Sequence, residues 1–348
     1  MKTTAVVLEN TNQPLSLLDL DAPQVLPGQV LVRMAYSGVC HSQLMEIQGQ
    51  RGEDRFLPHL LGHEGTGVVV ETGLGVTKVL PGDRVVLTWI KGAGANCSGA
   101  RYQSGNRVIN SGAVTTFSTC TIVSENRCVR LPDGVPMDIG CLFGCALPTG
   151  AGIVLNTVRP TPNSSLVVFG MGGVGLSALL GARLSGCAPL IAVDVEDAKL
   201  ALARDLGAHH VIDARTGDPV EAVRGLTGGE GTDYAVEAAG RTTTIEQAFS
   251  CVKKKGGLCV FASHPPFGQR IQLDPYDLIC GRQIRGSWGG DSIPDEDVPK
   301  FARFYREGRL PLEKLITHRL PLDRINEAFQ LLESGQAARV LIEIDPTI

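Results

Sequence analysis

The sequence contains no apolar run that approaches the ~20 consecutive residues of a membrane-spanning helix. Its first residues, 1–9, have too short an apolar core for a secretory signal peptide. The 348 residues carry a formal net charge of only −4, which gives no electrostatic reason to expect nucleic acid or an anionic membrane as a partner. There is also no internal repeat and no low-complexity tract. These absences predict a globular, cytoplasmic protein that binds neither nucleic acid nor membranes.

A disulfide framework is also not expected, although the chain has ten cysteines. Such frameworks belong to short secreted domains, and this chain is long enough for about two ordinary domains. In a reducing compartment most of these cysteines are expected to be small buried apolar residues, and a few could bind a metal ion.

The stretch around which the chain is organised is a glycine-rich turn at residues 166–184. A short apolar run, 166–169, precedes Gly170-Met-Gly172-Gly173-Val174-Gly175, and a helical pattern follows. A strand-to-helix turn of this kind exposes backbone N–H groups to a phosphate at the positive end of the helix. The motif alone is weak. However, a second apolar run ends in Asp194, nineteen residues after Gly175, where a ribose-binding carboxylate is expected, so the pattern predicts a dinucleotide site.

The character of the sequence changes near residue 150. Before it, short β-type runs alternate with Gly and Pro, which indicates an irregular, mostly β domain with a glycine-rich polar loop at 91–112. After it, six strand candidates alternate with helices, which indicates a parallel, doubly wound α/β sheet. The candidates are Leu166–Phe169, Leu190–Asp194, His210–Asp213, Asp233–Glu237, Leu258–Ala262 and Ile284–Trp288. Two helices, near 295–307 and 321–334, and a strand at 339–344 are predicted beyond the sheet.

Three glycine-flanked turns in the first part carry possible metal ligands. They contain Cys40, His63 and Cys145. Two thiolates and one imidazole would leave a tetrahedral zinc ion with one open position, which is typical of a catalytic site and is the set that alcohol dehydrogenase exemplifies. The spacing alone does not join them, and it favours a packed core thiol for Cys145 and an ordinary turn histidine for His63.

Taken together, the motifs resemble those of the zinc-dependent medium-chain alcohol dehydrogenases over nearly the whole chain. The matching phrases are Gly-Val-Cys40-His-Ser, Gly-His63-Glu-Gly-Thr-Gly, Pro-Gly-Asp83-Arg-Val, Gly-Cys145-Ala-Leu-Pro-Thr-Gly, the glycine turn, and Leu-Ile-Thr-His318 with Ile-Asn-Glu-Ala-Phe329. The resemblance implies a GroES-like catalytic domain at 1–150, a six-stranded Rossmann domain at 151–288, and a return segment at 289–348 that completes the catalytic domain.

The resemblance also implies a catalytic zinc ion bound by Cys40, His63 and Cys145. Ser42 matches the hydroxyl that hydrogen-bonds the substrate oxygen and starts proton removal, although a turn serine can equally cap the backbone. Glu64 matches an acidic residue behind the zinc that is a ligand in some relatives; alternatively it is a solvated turn charge. Trp89 matches an aromatic wall of the substrate pocket, although it could be plain core.

On the cofactor side, the resemblance makes Asp194 the acceptor of both ribose hydroxyls. A 2′-phosphate would face Asp194 and Glu196, so NAD is expected in preference to NADP. Lys199, Arg241 and Arg339 match cofactor contacts, although each could be a solvated charge. The other matching positions are His41 at the pyrophosphate, Thr149 beside the nicotinamide, and Gly170, Gly172, Gly173, Val174 and Gly175 in the turn.

Three departures from the family pattern concern the metal and the proton. Only Cys97 remains of four cysteines that bind a structural zinc, so one zinc ion per chain is expected, with loop 91–112 held by packing or by a neighbouring subunit. Gln43 replaces an aspartate that partners the zinc histidine, which should make the imidazole less basic. Met45 replaces a relay histidine in some members. These changes suggest a specialised branch of the family.

The leading hypothesis is a zinc- and NAD-dependent oxidoreductase that interconverts an alcohol and an aldehyde or ketone, and the resemblance suggests a homodimer or homotetramer. One alternative is a zinc-free quinone or enoyl reductase, although such relatives lack this Cys/His set. The other is a catalytically silent NAD-binding protein. The substrate itself is not identified, because pocket walls come from loops.

Overall fold

The computed structural model describes all 348 residues and divides them into two compact units. The first unit combines Met1–Cys145 with Ile293–Ile348, and the second is Ala146–Ser292. The domain borders predicted from the sequence lie after residues 150 and 288. No single helix is long and apolar enough to cross a bilayer; only the bent pair Met137–Gly144 and Ala146–Val158 reaches the length and composition required, and most of its residues are buried in the protein.

Residues 1–145 are mostly β structure, as the short apolar runs between Gly and Pro predict. The strands are β1 (Lys2–Leu8), β2 (Ser16–Asp21), β3 (Gln29–Gly38), β4 (His59–Leu60), β5 (Glu64–Thr72), β6 (Arg84–Thr88), β7 (Arg101–Ser104), β8 (Arg107–Asn110), β9 (Cys120–Ser124) and β10 (Cys128–Arg130), and the helices are α1 (His41–Ile47) and α2 (Met137–Cys141).

The second unit is a parallel sheet with crossover helices. Its elements are α3 (Ala146–Gly152), β11 (Leu166–Phe169), α4 (Gly173–Leu184), β12 (Leu190–Asp194), α5 (Asp197–Asp205), β13 (His210–Asp213), α6 (Pro219–Leu226), β14 (Tyr234–Glu237), α7 (Thr242–Cys251), β15 (Leu258–Phe261), α8 (Pro275–Ile279) and β16 (Gln283–Gly286). The strand order is β13-β12-β11-β14-β15-β16, with every pair parallel. Buried apolar side chains from the strands and from α6 and α7 share one core, which explains the continuous apolar runs.

The return segment completes the first unit. It contains α9 (Pro294–Arg306), β17 (His318–Pro321), α10 (Ile325–Glu333) and β18 (Val340–Glu343). Strand β18 pairs with β3, so a strand from the end of the sequence lies beside one from its start. The resulting seven-stranded sheet has the order β10-β6-β5-β3-β18-β17 with β9 also on β3, and β1, β2, β7, β8 and β4 close a barrel. The predicted fold, a GroES-like β domain with a six-stranded Rossmann sheet, is confirmed.

The prediction of an irregular loop over 91–112 is wrong for residues 101–110. These residues form the hairpin β7–β8 around Gly105-Asn106. Tyr102 and Ile109 face the core of the barrel, while their neighbours along each strand are more exposed. This alternation, with a two-residue turn in which Gly105 has a φ of 58°, is a hairpin signal that the high glycine content of the region masked.

The remaining part of this loop, residues 92–97, is held by a buried carboxylate. Glu125 Oε1 accepts hydrogen bonds from the backbone N–H groups of Thr77 and Lys78 at 2.6 and 2.9 Å, and Oε2 accepts one from Ala95 at 2.7 Å. Asp295 on α9 adds a second anchor, because it accepts from the N–H of Ala93. Hydrogen bonds from within the chain therefore fix the loop, a means that the sequence analysis did not foresee.

Replacing Glu125 with glutamine should destabilise the first unit. The amide would present an NH₂ group to backbone donors, so we expect Glu125→Gln to lower the free energy of unfolding by about 2 kcal/mol in urea denaturation at neutral pH. Glu221→Gln is the control, because the exposed Glu221 pairs only with Arg224 on the same helix, and it should change stability by less than about 0.5 kcal/mol.

The difference between wild type and Glu125→Gln should depend on pH. Burial raises the pKa of the Glu125 carboxyl, but the N–H donors of Ala95, Thr77 and Lys78 outweigh it and hold the pKa below its usual value. A lowered pKa in the folded state stabilises the protein above the pKa of the unfolded chain, and this stabilisation is lost as the pH falls through the folded pKa. Equal stability at neutral pH would contradict the anchoring role.

Candidate metal centre and dinucleotide site

Three turns of the first unit bring Cys40, His63 and Cys145 together. Cys40 ends the extended run of β3 and precedes α1, His63 immediately precedes β5, and Cys145 follows a short 3₁₀ turn. Their ligand atoms lie within 4.8 Å of one another, and His63 Nε2 is 3.2 Å from Cys145 Sγ. Both cysteines are buried. A packed core thiol and an ordinary turn histidine would have no reason to lie together. The observed donor set instead fits a tetrahedral zinc ion with one free position.

The surroundings of Cys40 favour its thiolate. A hydrogen bond with Cys145 lowers the pKa of the Cys40 thiol most strongly, and His63 and Arg339 lower it further against the opposing effect of burial. The pKa of that thiol therefore lies well below its usual value. Because the thiolate is the form that binds metal ions, the turn is prepared for a cation.

Ser42 lies beside this group on the first turn of α1. Its Oγ is 3.4 Å from Cys40 Sγ and donates a hydrogen bond to it. Gln43 is buried, and its Oε1 has no hydrogen-bond partner, so it does not accept from His63 as the family aspartate would. Met45 is also buried and brings no titratable group.

Glu64 and Arg339 form a buried ion pair behind Cys40. Arg339 precedes β18, donates to the carbonyl of Val39 at 3.0 Å, and interacts electrostatically with Cys40. The structure thus places Glu64 against a guanidinium and outside the three-residue ligand group. It places Arg339, which the resemblance assigned to the cofactor, beneath the thiol. The pairing of these two residues escaped the sequence analysis because 275 positions separate them.

Trp89 follows the last residue of β6, beside the Cys145 turn. Thr88 on β6 donates to the carbonyl of Gly144 at 2.7 Å, which ties the strand end to that turn. The backbone carbonyl of Trp89 accepts a hydrogen bond from Arg127. Thr88 was not singled out from the sequence, since a threonine at a strand end carries no distinctive signal.

In the second unit, the glycine turn joins β11 to α4 as the motif predicts. Gly170 has a φ of 86°, and a Cβ there would lie 2.7 Å from the backbone nitrogen of Ala239. A Cβ on Gly175 would collide with the carbonyl oxygen of Gly170. Gly172 caps the helix, and nothing lies within 4 Å of the position of its absent Cβ. Gly173 and Val174 begin α4, so their N–H groups belong to its first turn, where a phosphate is stabilised.

Asp194 ends β12, the neighbour of β11. Its Oδ2 accepts from the N–H of Met171 in the glycine turn at 2.5 Å, and Oδ1 accepts from the N–H groups of Val195 and Glu196 at 2.7 and 3.0 Å. A carboxylate has about four acceptor positions, so Asp194 keeps acceptor capacity beside these backbone bonds. Its acceptance of both ribose hydroxyls stays a prediction.

The other predicted cofactor residues are spread over both units. In the second unit, Lys199 is half-buried on α5, Arg241 is exposed at the cap of α7, and Thr149 on α3 is buried with no hydrogen-bond partner for its Oγ1. In the first unit, His41 is exposed at the start of α1. A residue that the sequence analysis passed over, Glu237, is fully buried at the end of β14.

Comparisons with known protein families match both parts of the chain. The family described as "Alcohol dehydrogenase GroES-like domain" matches residues 26–133, and the family described as "Zinc-binding dehydrogenase" matches residues 173–307.

Individual relatives match along the full length. An S-(hydroxymethyl)glutathione dehydrogenase from Paracoccus denitrificans is 30% identical, with 98% of this chain and 100% of the relative covered. The crystal structure of benzyl alcohol dehydrogenase from Acinetobacter calcoaceticus is 32% identical and covers 99% of both chains with a TM-score of 0.90. An alcohol dehydrogenase zinc-binding domain protein from Burkholderia ambifaria is 31% identical over 99% of both chains, also with a TM-score of 0.90.

The family matches, the full-length relatives and the fold agree, and the predicted resemblance is confirmed. This agreement favours the leading hypothesis over the two alternatives, a zinc-free reductase and a silent nucleotide-binding protein. The chain belongs to the zinc-dependent alcohol dehydrogenases of the medium-chain dehydrogenase/reductase superfamily, oxidoreductases that act on the CH–OH group of donors.

Proposed function

We propose that this protein oxidises an alcohol to an aldehyde or ketone, reversibly, by hydride transfer to NAD⁺, with one zinc ion per chain held by Cys40, His63 and Cys145. The observation that carries the proposal is the meeting of these three ligand atoms within 4.8 Å. When bound, zinc supplies Lewis acidity toward the substrate oxygen, and the nicotinamide supplies the hydride acceptor.

The charges around the group suit a divalent ion. Two thiolates balance the charge of Zn²⁺, and Glu64 and Arg339 balance each other behind Cys40. We therefore assign Glu64 to its arginine rather than to the metal in the resting site. Arg339 lies behind Cys40 and stays a proposed cofactor contact on the strength of the family pattern.

Ser42 is the proposed proton acceptor for the alcohol. Its hydroxyl lies beside the ligand group and can exchange its hydrogen bond to Cys40 for one to a substrate oxygen. During oxidation the Ser42 hydroxyl accepts the proton of the alcohol while it donates its own proton onward. During reduction it returns a proton to the substrate oxygen. The Met45 side chain has no ionisable group, so the onward route of the proton does not pass through that position. We assign Trp89 to the wall of the substrate pocket.

The second unit is proposed to bind NAD in preference to NADP. The glycine turn Gly170–Gly175 opens α4 toward the pyrophosphate, and the Asp194 carboxylate would repel a 2′-phosphate. Lys199, Arg241, His41 and Thr149 are proposed further contacts, on the strength of the family pattern.

Two wider assignments accompany this function. All ten cysteines are free thiols, and two of them are proposed ligands, which supports a reducing compartment such as the cytoplasm. The edge strand β16 is flanked by the exposed apolar side chains of Ile279 and Trp288. Such an edge favours pairing between copies of the chain, so we propose a homodimer or homotetramer.

The metal assignment is tested with Cys40→Ser. We expect the purified variant to lose its zinc, from about one ion per chain, and to lose at least about a thousandfold in kcat/KM on an alcohol panel. Cys97→Ser is the matched control and should keep both, because Cys97 lies outside the ligand group. Full activity of Cys40→Ser without metal would reject the proposed chemistry.

Cofactor preference is tested with Asp194→Asn. The amide keeps one acceptor for the backbone but removes the negative charge, so we expect the ratio of kcat/KM for NAD to that for NADP to fall by about tenfold or more. Asp197→Asn removes an exposed charge three residues further on and should leave the ratio unchanged. An unchanged ratio in Asp194→Asn would show that this carboxylate does not select the cofactor.

The assembly is tested with Ile279→Asp. A charge beside the edge strand should oppose pairing, so analytical ultracentrifugation should detect a smaller species than in the wild type. Leu74→Asp, at an equally exposed position of the first unit, is the control and should leave the mass unchanged. If Ile279→Asp sediments like the wild type, the sheet edge is not the interface.

A further inference from the structure

Glu237 lies at the switch point of the parallel sheet, where the side on which the chain adds its next strand changes. It is the last residue of β14 and pairs in register with Phe169 of β11 on one side and Phe261 of β15 on the other. From β11 at the centre, the chain adds β12 and β13 toward one edge of the sheet. It then adds β14, β15 and β16 toward the other edge. In an open parallel sheet, ligands bind beyond the carboxyl ends of the strands at this switch point.

The hydrogen bonds of Glu237 all involve one of its two carboxyl oxygens. Oε1 accepts from the N–H groups of Ala239 and Gly240 at 2.9 and 2.8 Å and from the hydroxyl of Thr244 at 2.7 Å. Oε2 is buried and has no partner, and the structure contains no ion pair to Glu237.

These hydrogen bonds fix the turn between β14 and α7. Ala239 and Gly240 form the turn, and Thr244 lies on the first turn of α7. Ala239 packs directly against Gly170, where even a methyl group would not fit. Arg241, a proposed cofactor contact, is the residue that this turn delivers to the start of α7. Glu237 thus joins the 239–240 turn to the start of α7, beside the glycine turn.

Glu237 is buried and forms no ion pair, so its ionised form carries a desolvation penalty, which its three hydrogen-bond donors offset. Burial raises the pKa of this carboxyl against the effect of those donors.

We propose that Glu237 is a positioning residue of the dinucleotide site, which holds the 239–241 turn and Arg241 against the glycine turn through its hydrogen bonds to Ala239, Gly240 and Thr244. This inference rests on the proposed dinucleotide site. Glu237 touches neither the substrate nor the reacting atoms; it acts through the turn and through Arg241.

The test compares two near-isosteric replacements by NADH binding, measured as fluorescence in the zinc-loaded full chain. Glu237→Gln keeps a neutral carbonyl acceptor, so its Kd should stay within about twofold of the wild type. Glu237→Leu removes the acceptor and should raise the Kd by about tenfold or more, with KM for NAD rising and kcat at saturating NAD largely kept. Glu230→Leu, at an exposed position before β14, is the control and should bind like the wild type.

Two further variants separate positioning from general destabilisation. Thr244→Val removes one donor while keeping the carboxyl, and it should raise the Kd by a smaller factor even if Glu237→Leu does not fold. In an Arg241→Ala background, Glu237→Leu should cause little additional loss, because the two residues act along one path.

Each result has a defined meaning. Glu237→Gln as weak as Glu237→Leu would overturn the acceptor role of Glu237, since the amide keeps a carbonyl acceptor for the turn. Wild-type affinity in both Glu237→Leu and Thr244→Val, or full additivity with Arg241→Ala, would overturn the positioning role. A wild-type protein that does not bind NADH would instead refute the dinucleotide site itself.

Discussion

The buried pair of Glu64 and Arg339 is the constraint on which the first unit depends. It joins β5, which follows the histidine turn, to the start of β18, and Arg339 also reaches Cys40 and the carbonyl of Val39. Removing either charge would leave the other uncompensated in the interior, a change that typically costs about 3–5 kcal/mol. This ion pair therefore connects the sheet, the return segment and the turn that contains Cys40. It helps to fix the position of that turn relative to the strand that follows His63.

Local patterns were sufficient to predict most of the second unit. The strands at 166–169 and 190–194 have the predicted bounds, because buried parallel strands are continuous apolar runs bounded by turn residues. The edge strand at 210–213 also has the predicted bounds, although none of its residues is buried. The glycine turn and Asp194 were equally accessible, since their spacing is set by one strand–helix–strand unit. The hairpin at 101–110 was missed because its two short strands hold mixed polar residues, and only Tyr102 and Ile109 enter the core.

The metal group was less accessible from the residues alone. Cys40, His63 and Cys145 come from turns far apart in sequence, and their meeting depends on the pairing of β3, β5 and β6, which no local pattern encodes. Family resemblance supplied that link. The contact of Glu125 with the 92–97 loop was not predicted, because a carboxylate that accepts from backbone N–H groups leaves no periodic signal.

The return of the chain to the first unit sets an order of assembly. During synthesis the second unit, a continuous segment, can close before β17 and β18 have left the ribosome, since its contacts lie within Ala146–Ser292. Strand β3 can pair with β18, and Glu64 with Arg339, only after the return segment has been synthesised. The thiols at Cys40 and Cys145 are therefore synthesised well before β18 and Arg339, which complete the surroundings of Cys40 in the finished fold.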